Sequence, residues 1–296
     1  MRHGRWRFLL GALVPALVLH VVFVLSPYAQ AFWLSLTDWT GVAGEAQFVG
    51  ADNYVRLGGD SLFLDAVRNN AVLLIVVPLV TIAVGLFLAS MLRTSSPRLG
   101  QGYRIVYFFP QLLSLVVIAV LWGFVYNPNT GLLNSGLRAV GLGGLAQSWL
   151  AEPAFALMAV MAVLVWSSVG FYVVLFSAAI EGIPRELFEA ALLDGAGKWA
   201  TFSRVTLPLV RETVQVAFVY LGIAALDAFA VVQVMTVGPG GPDGATEVIG
   251  LSLYRTAFTY GKFGYASAMG VALFFATLTL AVLALRSGRR ERLELA

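Results

Sequence analysis

Few side chains of this 296-residue sequence could bind or transform a ligand. Cysteine is absent, which excludes disulfides, thiolate-bound zinc and a cysteine nucleophile. Two histidines, His3 and His20, cannot form a metal site by themselves. One carboxylate, Asp227, lies inside a long apolar stretch, where a charge is costly unless it faces a polar cavity or a partner. Asp227 is therefore a candidate for ligand contact, and a purely structural role for it stays open.

Two glycine-rich runs imitate phosphate-binding loops. The run that ends in Gly197 and Lys198 lacks the glycine five residues before Gly197 and the Ser or Thr after the lysine, both of which a nucleotide-binding loop needs. The second run, 238–244, has no helix signal after it, so a structural turn is favoured there. The sequence thus predicts no nucleotide site in this chain.

The composition indicates a membrane protein. Hydrophobic residues make up 59% of the chain and charged residues 12%, whereas soluble domains have roughly 45–50% and 25%. The mean hydropathy of +0.84 excludes disorder as well as a soluble globule. Although the net charge is +3, the basic residues lie in short clusters between apolar runs, which fits membrane topology better than nucleic-acid binding.

Six apolar stretches predict six membrane-spanning helices, because about 20 helical residues cross a bilayer core. Three prolines inside them, Pro15, Pro78 and Pro110, are predicted to kink their helices. The predicted fold class is all-α, a polytopic membrane protein with a single transmembrane domain over 1–296. The predicted spans lie near 8–27, 71–92, 105–126, 154–180, 213–235 and 263–285.

The positions of Lys and Arg predict the orientation of these spans. With the N-terminus in the cytoplasm, all but five of the 19 basic residues lie in cytoplasmic segments, as the positive-inside rule requires, and both termini are cytoplasmic. The first span has a second interpretation, since Ala29-Gln30-Ala31 after a basic start and an apolar run also resembles a cleavable secretory signal. The five basic residues on the outside are Arg56, Arg68, Arg138, Arg255 and Lys262.

The cytoplasmic segment 181–212 is the most unusual of the predicted loops. Residues 185–194 are good helix formers, and Gly195 is predicted to end that helix. A second short helix is predicted from Lys198 to Pro208, where the next span begins. A helix, a glycine turn and a helix on the membrane face should dock into another molecule.

The residue spacing of this segment resembles the cytoplasmic signature of the permease subunits of ATP-binding-cassette importers. The signature is Glu-Ala-Ala, three residues, Gly, nine residues, an aliphatic residue, any residue and Leu-Pro, and the chain departs from it only in having Val205 where Ile is usual. In that family the segment is a coupling helix seated in a cleft of the ATPase, although a generic interfacial helix is the other interpretation. The resemblance assigns coupling to Glu189, Ala190, Ala191, Asp194, Gly195, Leu207 and Pro208.

The resemblance covers nearly the whole chain, including 109–110, 240–242 and 263–268, and implies the carbohydrate-uptake branch with a type I importer permease fold. Among the two permeases of that branch the chain is similar to the first, maltose-F-like one. The implied partners are a second permease, two cytoplasmic ATPase subunits that bind ATP and Mg, an extracytoplasmic solute-binding protein and a sugar. The implied location is a bacterial or archaeal plasma membrane, and the chain itself is expected to be no enzyme and to hold no cofactor.

A sugar substrate gives the polar side chains of the spans a possible role. Carboxylates bond to sugar hydroxyls and aromatic faces stack on pyranose rings, although a tryptophan can equally pack at a helix contact. Loop residues resemble those of permeases for amino sugars or chito-oligosaccharides. An ion-coupled secondary transporter is the alternative function, but it predicts inverted repeats and several intramembrane charges. The substrate-path candidates are Asp227, Trp166, Tyr220, Gln111 and Gln233.

Overall fold

The structure is a computed structural model that describes residues 11, 13–42, 44, 46–93, 97–236, 238 and 240–289. These residues are almost entirely helical, and the β structure among them is an isolated antiparallel bridge between Thr37 and Phe48. The all-α prediction is confirmed. Several predictions fall outside the described residues: the start of the first span at residues 8–10, His3, and the basic residues Arg2, Arg5, Arg7, Arg290 and Arg292.

Within the described ranges, four helices are long and apolar enough to cross a membrane, and two sharply bent helix pairs bring the number to as many as six. The longest has 33 residues and extends about ten residues before the predicted second span. The helices are α1 (Leu13–Leu34), α2 (Asp52–Gly59), α3 (Ser61–Arg93), α4 (Pro97–Phe108), α5 (Leu115–Val125), α6 (Leu132–Ala139), α7 (Pro153–Glu181), α8 (Arg185–Leu193), α9 (Lys198–Leu209), α10 (Arg211–Leu226), α11 (Phe229–Met235), α12 (Ile249–Tyr254) and α13 (Phe263–Arg289).

The predicted third span is broken rather than kinked. Pro110 lies in a 3₁₀ turn, Phe109–Leu112, and the helices on either side of this region meet at 99°. Proline has no backbone N–H, so Pro110 could not donate the i to i−4 hydrogen bond of an α-helix in any case. A turn at Pro110 therefore sacrifices no hydrogen bond from this residue. On the near side of the break, α4 packs on α7 at Gly170, where a Cβ would overlap the backbone of Tyr107 and Phe108. The glycine therefore permits direct contact between the two backbones.

The predicted fifth span is broken as well. Helix α10 ends at Leu226, α11 begins at Phe229, and Asp227 lies between them with non-helical dihedral angles. At the other end of α10, the preceding helix meets it at 71°. That break lies at Val210, two residues after the predicted break at Pro208.

The described residues within 1–64 and 252–275 form one compact unit. The Asn53 amide donates hydrogen bonds to the carbonyl oxygens of Ser35 and Thr37, at 2.9 and 2.8 Å. One oxygen of Asp60 accepts hydrogen bonds from the first N–H groups of α3, and the other accepts a bond from the Tyr265 hydroxyl at 2.8 Å. The buried amide of Asn53 and the half-buried carboxylate of Asp60 thus fix an otherwise irregular segment.

The described residues within 65–251 and 276–289 form the second unit, with two apolar clusters. The first cluster joins α5, α7 and α11 around Ile118, Val160 and Val231. The second, called the inner cluster below, joins α3, α7 and α10 around Leu86, Phe176 and Leu221. Burial of this apolar surface stabilises the helix packing. A single domain over 1–296 stays a prediction.

Candidate functional site

Segment 181–212 folds as the predicted helix, glycine turn and helix. Helix α8 ends at Leu193, and Gly195 follows with φ +74°, a left-handed conformation that side chains disfavour. The Ala196 N–H donates to the Ala191 carbonyl oxygen at 2.9 Å, which closes the turn. A Cβ at Gly195 would meet nothing within 4 Å. Within this chain, the backbone conformation and not crowding therefore requires the glycine.

The turn presents large apolar side chains to the outside. Leu192, Leu193 and Trp199 are 73%, 89% and 78% exposed, and they are called the apolar tip below. Glu189 and Ala190 are exposed beside them. Exposed apolar patches mark interaction sites more often than isolated exposed residues do. The segment therefore has the surface expected of a docking element.

The remaining signature residues take different positions. Asp194 follows the last residue of α8 and is exposed, and Ala191 is half-buried. Leu207 and Pro208 lie in the last turn of α9 and are also exposed. The described structure thus leaves most of the signature accessible to a partner.

Phe188 connects the segment to the rest of its unit. Its ring packs against the inner cluster, and the guanidinium carbon of Arg93 lies 3.4 Å from the ring centroid. Arg93 is the last residue of α3, so the contact joins α8 to the end of that helix. Nearby, Arg104 of α4 forms an ion pair with Glu181 of α7. Because the Arg104 and Glu181 side chains are 36% and 59% exposed, solvent screens the pair and it contributes little to stability.

The five substrate-path candidates are not assembled into one site. Trp166 packs edge-to-face on Trp122 with ring centroids 5.4 Å apart, which supports the helix-contact interpretation. Tyr220 is 67% exposed, and Asp227 is exposed in the break between α10 and α11. No hydrogen bond or ring contact joins any two of these five described residues. The exposed glutamines are Gln111, in the 3₁₀ turn, and Gln233, in α11.

The break at Asp227 depends on a residue that the sequence did not single out. The Asn70 side chain is 2% exposed; its amide nitrogen donates to the Leu226 carbonyl oxygen at 3.2 Å, and its oxygen accepts from the Ile249 N–H at 2.8 Å. One buried side chain thereby satisfies two backbone groups that the helix break and the following loop leave without helical partners. The signal in the sequence was the pair of neighbouring amide side chains, Asn69 and Asn70, directly before a long apolar run.

Asn69 adds a second link between α3 and the loop before α12. Its amide nitrogen donates to the carbonyl oxygens of Ala245 and Glu247, at 3.2 and 2.9 Å. The glycine-rich run packs on the same loop, where the Thr246 hydroxyl donates to the Gly240 carbonyl oxygen at 2.8 Å. Gly240 has φ +72° and leaves no room for a Cβ against Glu247. These contacts support a structural turn over an anion site.

A cavity of about 150 Å³ lies within the first unit. Its polar lining includes Asp60, Arg255, Lys262 and Tyr265. Both Asp60 oxygens already accept hydrogen bonds from the α3 N-terminus and from Tyr265, so this carboxylate braces the unit. Among the described residues, no group of three or more His, Cys, Asp and Glu side chains could hold a metal ion.

Residues 81–292 match the family described as the binding-protein-dependent transport system inner membrane component. The chain belongs to this family. It is 46% identical, over 94% of its length and 81% of the relative, to the diacetylchitobiose uptake system permease protein of Streptomyces coelicolor. It is 39% identical, over 94% and 96%, to a probable ABC transporter permease protein of Bacillus subtilis. Membership of this family excludes the alternative function, an ion-coupled secondary transporter.

A solved structure shows the same fold. The permease matches a chain of a bacterial ABC transporter involved in the import of the acidic polysaccharide alginate, with a TM-score of 0.84, 24% identity and 97% coverage of both chains. At this identity the likeness shows the fold alone. The permease therefore has the type I importer fold that the cytoplasmic signature predicted, and it is an inner membrane component of an ABC transporter.

Proposed function

We propose that this permease imports an N-acetylated amino-sugar oligosaccharide of the diacetylchitobiose class. The observation that carries the proposal is the 46% identity, over nearly the whole chain, to a relative named for diacetylchitobiose uptake. Relatives named for alpha-glucosides and for multiple sugars are 32% identical. The identity to the diacetylchitobiose relative is higher than the identity to these two relatives, which favours an amino sugar over a glucoside as the substrate. All three relatives are named for the uptake of carbohydrates.

The permease acts with partners in this proposal. A second permease subunit completes the path, two cytoplasmic ATPase subunits bind ATP and Mg and supply the free energy, and an extracytoplasmic solute-binding protein delivers the sugar. A binding protein is part of the family description. The location in this proposal is a bacterial or archaeal plasma membrane, which the family description as an inner membrane component supports. The excess of basic residues in the predicted cytoplasmic segments supports an orientation with both termini in the cytoplasm.

Residues 183–209 form the coupling element of the permease in this proposal. The apolar tip supplies exposed surface for an ATPase cleft, and Glu189 supplies an exposed carboxylate for a basic partner. The left-handed turn at Gly195 joins α8 to α9 in a backbone conformation that a side chain would strain, and the space around the glycine is open within this chain. Closure of the ATPase subunits would move this element and, with it, the helices.

Asp227 is the first of the proposed substrate contacts. It is exposed at a break in a span, where its carboxylate can accept hydrogen bonds from sugar hydroxyls. Tyr220 lies seven residues earlier on α10, hence on nearly the same helix face, and offers an exposed ring for stacking. Gln111, Gln233 and Trp166 stay candidates, the last with a packing role against Trp122.

The test is uptake by the complete importer in proteoliposomes. Labelled diacetylchitobiose is offered with the binding protein outside and ATP inside, and lactose is the matched control sugar. We expect uptake of the amino sugar that stops when either ATP or the binding protein is omitted. Equal uptake of lactose would contradict the substrate class, and uptake driven by a proton or sodium gradient without ATP would contradict the mechanism.

A further inference from the structure

Helix α3 has a specific contact at its C-terminal end. Arg93 is its last residue, and its guanidinium group lies over the ring of Phe188, which belongs to the proposed coupling element. A cation over an aromatic face is attracted by the ring quadrupole, and the contact has a preferred geometry. Phe188 also packs on the inner cluster, to which α3 contributes Ile82 and Leu86. A movement of α8 would therefore act directly on α3.

A second specific contact lies near the other end of the helix. Asn70 is buried and bonds to both Leu226, where α10 breaks, and Ile249, where α12 begins. Since one side chain holds both backbone groups, α3 cannot shift at this level without moving or releasing the break that carries Asp227.

The helix between these contacts is continuous. Asn70 and Arg93 are 23 residues apart within one unbroken helix, a distance of about 35 Å at 1.5 Å per residue. Between the two contacts, a Cβ at Gly85 would lie within 3.4 Å of the Phe176 and Tyr172 side chains on α7, so α3 packs closely against α7 at this level. A continuous helix with a directional contact at each end can transmit a displacement between two sites.

We propose that α3 carries the movement of the coupling element to the break at Asp227, with the Phe188–Arg93 contact at one end and the Asn70 bridge at the other. Phe188, Arg93 and Asn70 are positioning residues in this scheme. The inference rests on the proposed coupling role of residues 183–209. If α3 is a link in series, loss of either contact interrupts the same transmission, and loss of both does no further harm.

The experiment is a double-mutant cycle across the helix. Phe188→Leu removes the ring but keeps apolar volume for the inner cluster, and Asn70→Asp places a carboxylate oxygen against the Leu226 carbonyl. The quantity measured is diacetylchitobiose imported per ATP hydrolysed by the complete importer in proteoliposomes, together with retention of the ATPase. Each single variant should lower the ratio about fivefold. The double variant should also lower it about fivefold, whereas independent distant sites would give about 25-fold.

Three controls separate this role from general damage. Thr81→Val changes a buried α3 residue whose hydroxyl has no hydrogen-bond partner in the described structure, and it should leave the ratio unchanged. Phe188→Tyr keeps the ring and should restore the ratio. If the Asn70→Asp complex does not assemble, Asn70→Ser removes the same bridge with a smaller side chain.

Multiplicative effects of the two single variants, or no effect of either, would overturn the role of α3. Gly195→Asp, measured in parallel, tests the underlying coupling assignment. If Gly195→Asp retains both the ATPase and uptake, the proposed coupling element is wrong. If Gly195→Asp is defective and the cycle is multiplicative, the coupling element stands and the α3 inference alone is wrong.

Discussion

Two interruptions of helical structure differ in how they are held. The turn at Gly195 is built from its own neighbours, with a hydrogen bond between Ala196 and Ala191 and open space around the glycine. The break at Asp227 is held by Asn70, a residue 156 positions away from Leu226 in sequence. The first interruption has an exposed apolar tip, and the second has a buried amide. A local turn can present a surface to a partner, whereas a break inside a span needs internal partners for its backbone.

The largest effect is expected at Gly195, and the neighbouring Gly197 serves as its comparison. Gly195→Asp forces a side chain into φ +74° and brings a charge to the proposed ATPase interface, so we expect at least a tenfold loss of retained ATPase and of uptake. Gly197→Asp is the matched control, because Gly197 is the N-cap of α9 with φ −70°, a position that favours Asp. Pull-down in detergent and uptake in proteoliposomes measure both. Equal behaviour of the two variants would remove the special role of Gly195.

The second prediction addresses the internal bridge. Asn70→Leu leaves the Leu226 carbonyl and the Ile249 N–H without their side-chain partner, which should lower the free energy of unfolding by about 2–4 kcal/mol. Asn129→Leu, at an exposed asparagine, should change it by less than about 0.5 kcal/mol. Thermal unfolding of the purified permease in detergent compares the midpoints. A midpoint for Asn70→Leu as high as that of the control would show that the bridge does not hold the break.

The third prediction concerns the carboxylate at the break. Asp227→Asn keeps the shape but removes the charge, and should weaken diacetylchitobiose uptake about tenfold through loss of a charged hydrogen bond, or change the choice of sugar. ATPase retention should be normal, because the coupling element is untouched. Uptake kinetics are measured for several sugars. Unchanged kinetics across all of them would assign Asp227 a structural role at the helix end.

The smallest effect is expected from Glu189→Ala. The exposed carboxylate would lose a basic partner at the interface, while the apolar tip still docks. We expect partial ATPase retention and about a threefold drop in sugar transported per ATP, measured in the same proteoliposomes. Glu186→Ala on the same helix is the control. A larger loss for the control than for Glu189→Ala would place the contact elsewhere on α8.

The sequence predicted those features whose cause is local. Helix formers before Gly195 define α8, and apolar runs of sufficient length define the spans. The breaks at Pro110 and Asp227 were predicted as a kink and as continuous helix, because a proline or a single carboxylate in a membrane helix is compatible with both outcomes. Whether the helix bends or breaks depends on a partner that is distant in sequence. Near Pro110 that partner is Gly170, which packs on the backbone of Tyr107, and at Asp227 it is Asn70, which bonds to the Leu226 carbonyl.

The orientation of Phe188 could not be predicted for the same reason. It lies on α8 four residues before Leu192, so helical spacing places both on one face. The structure turns Phe188 inward onto Arg93 and leaves Leu192 exposed, since the helix ends at Leu193 and only its first turns reach the inner cluster. Helical periodicity gives the face of a side chain but not how far along the helix the neighbouring cluster extends.

The most direct test of the coupling assignment is cross-linking, which the absence of cysteine from the chain makes specific. Single variants Leu193→Cys, at an 89% exposed position of the apolar tip, and Leu132→Cys, at a 75% exposed position of α6 in a predicted outside segment, carry a thiol-reactive photo-cross-linker in the assembled importer. We predict a cross-link to the ATPase subunit from position 193 and none from position 132. No cross-link from position 193, or an equal yield from both, would contradict the assignment of residues 183–209 as the element that meets the ATPase.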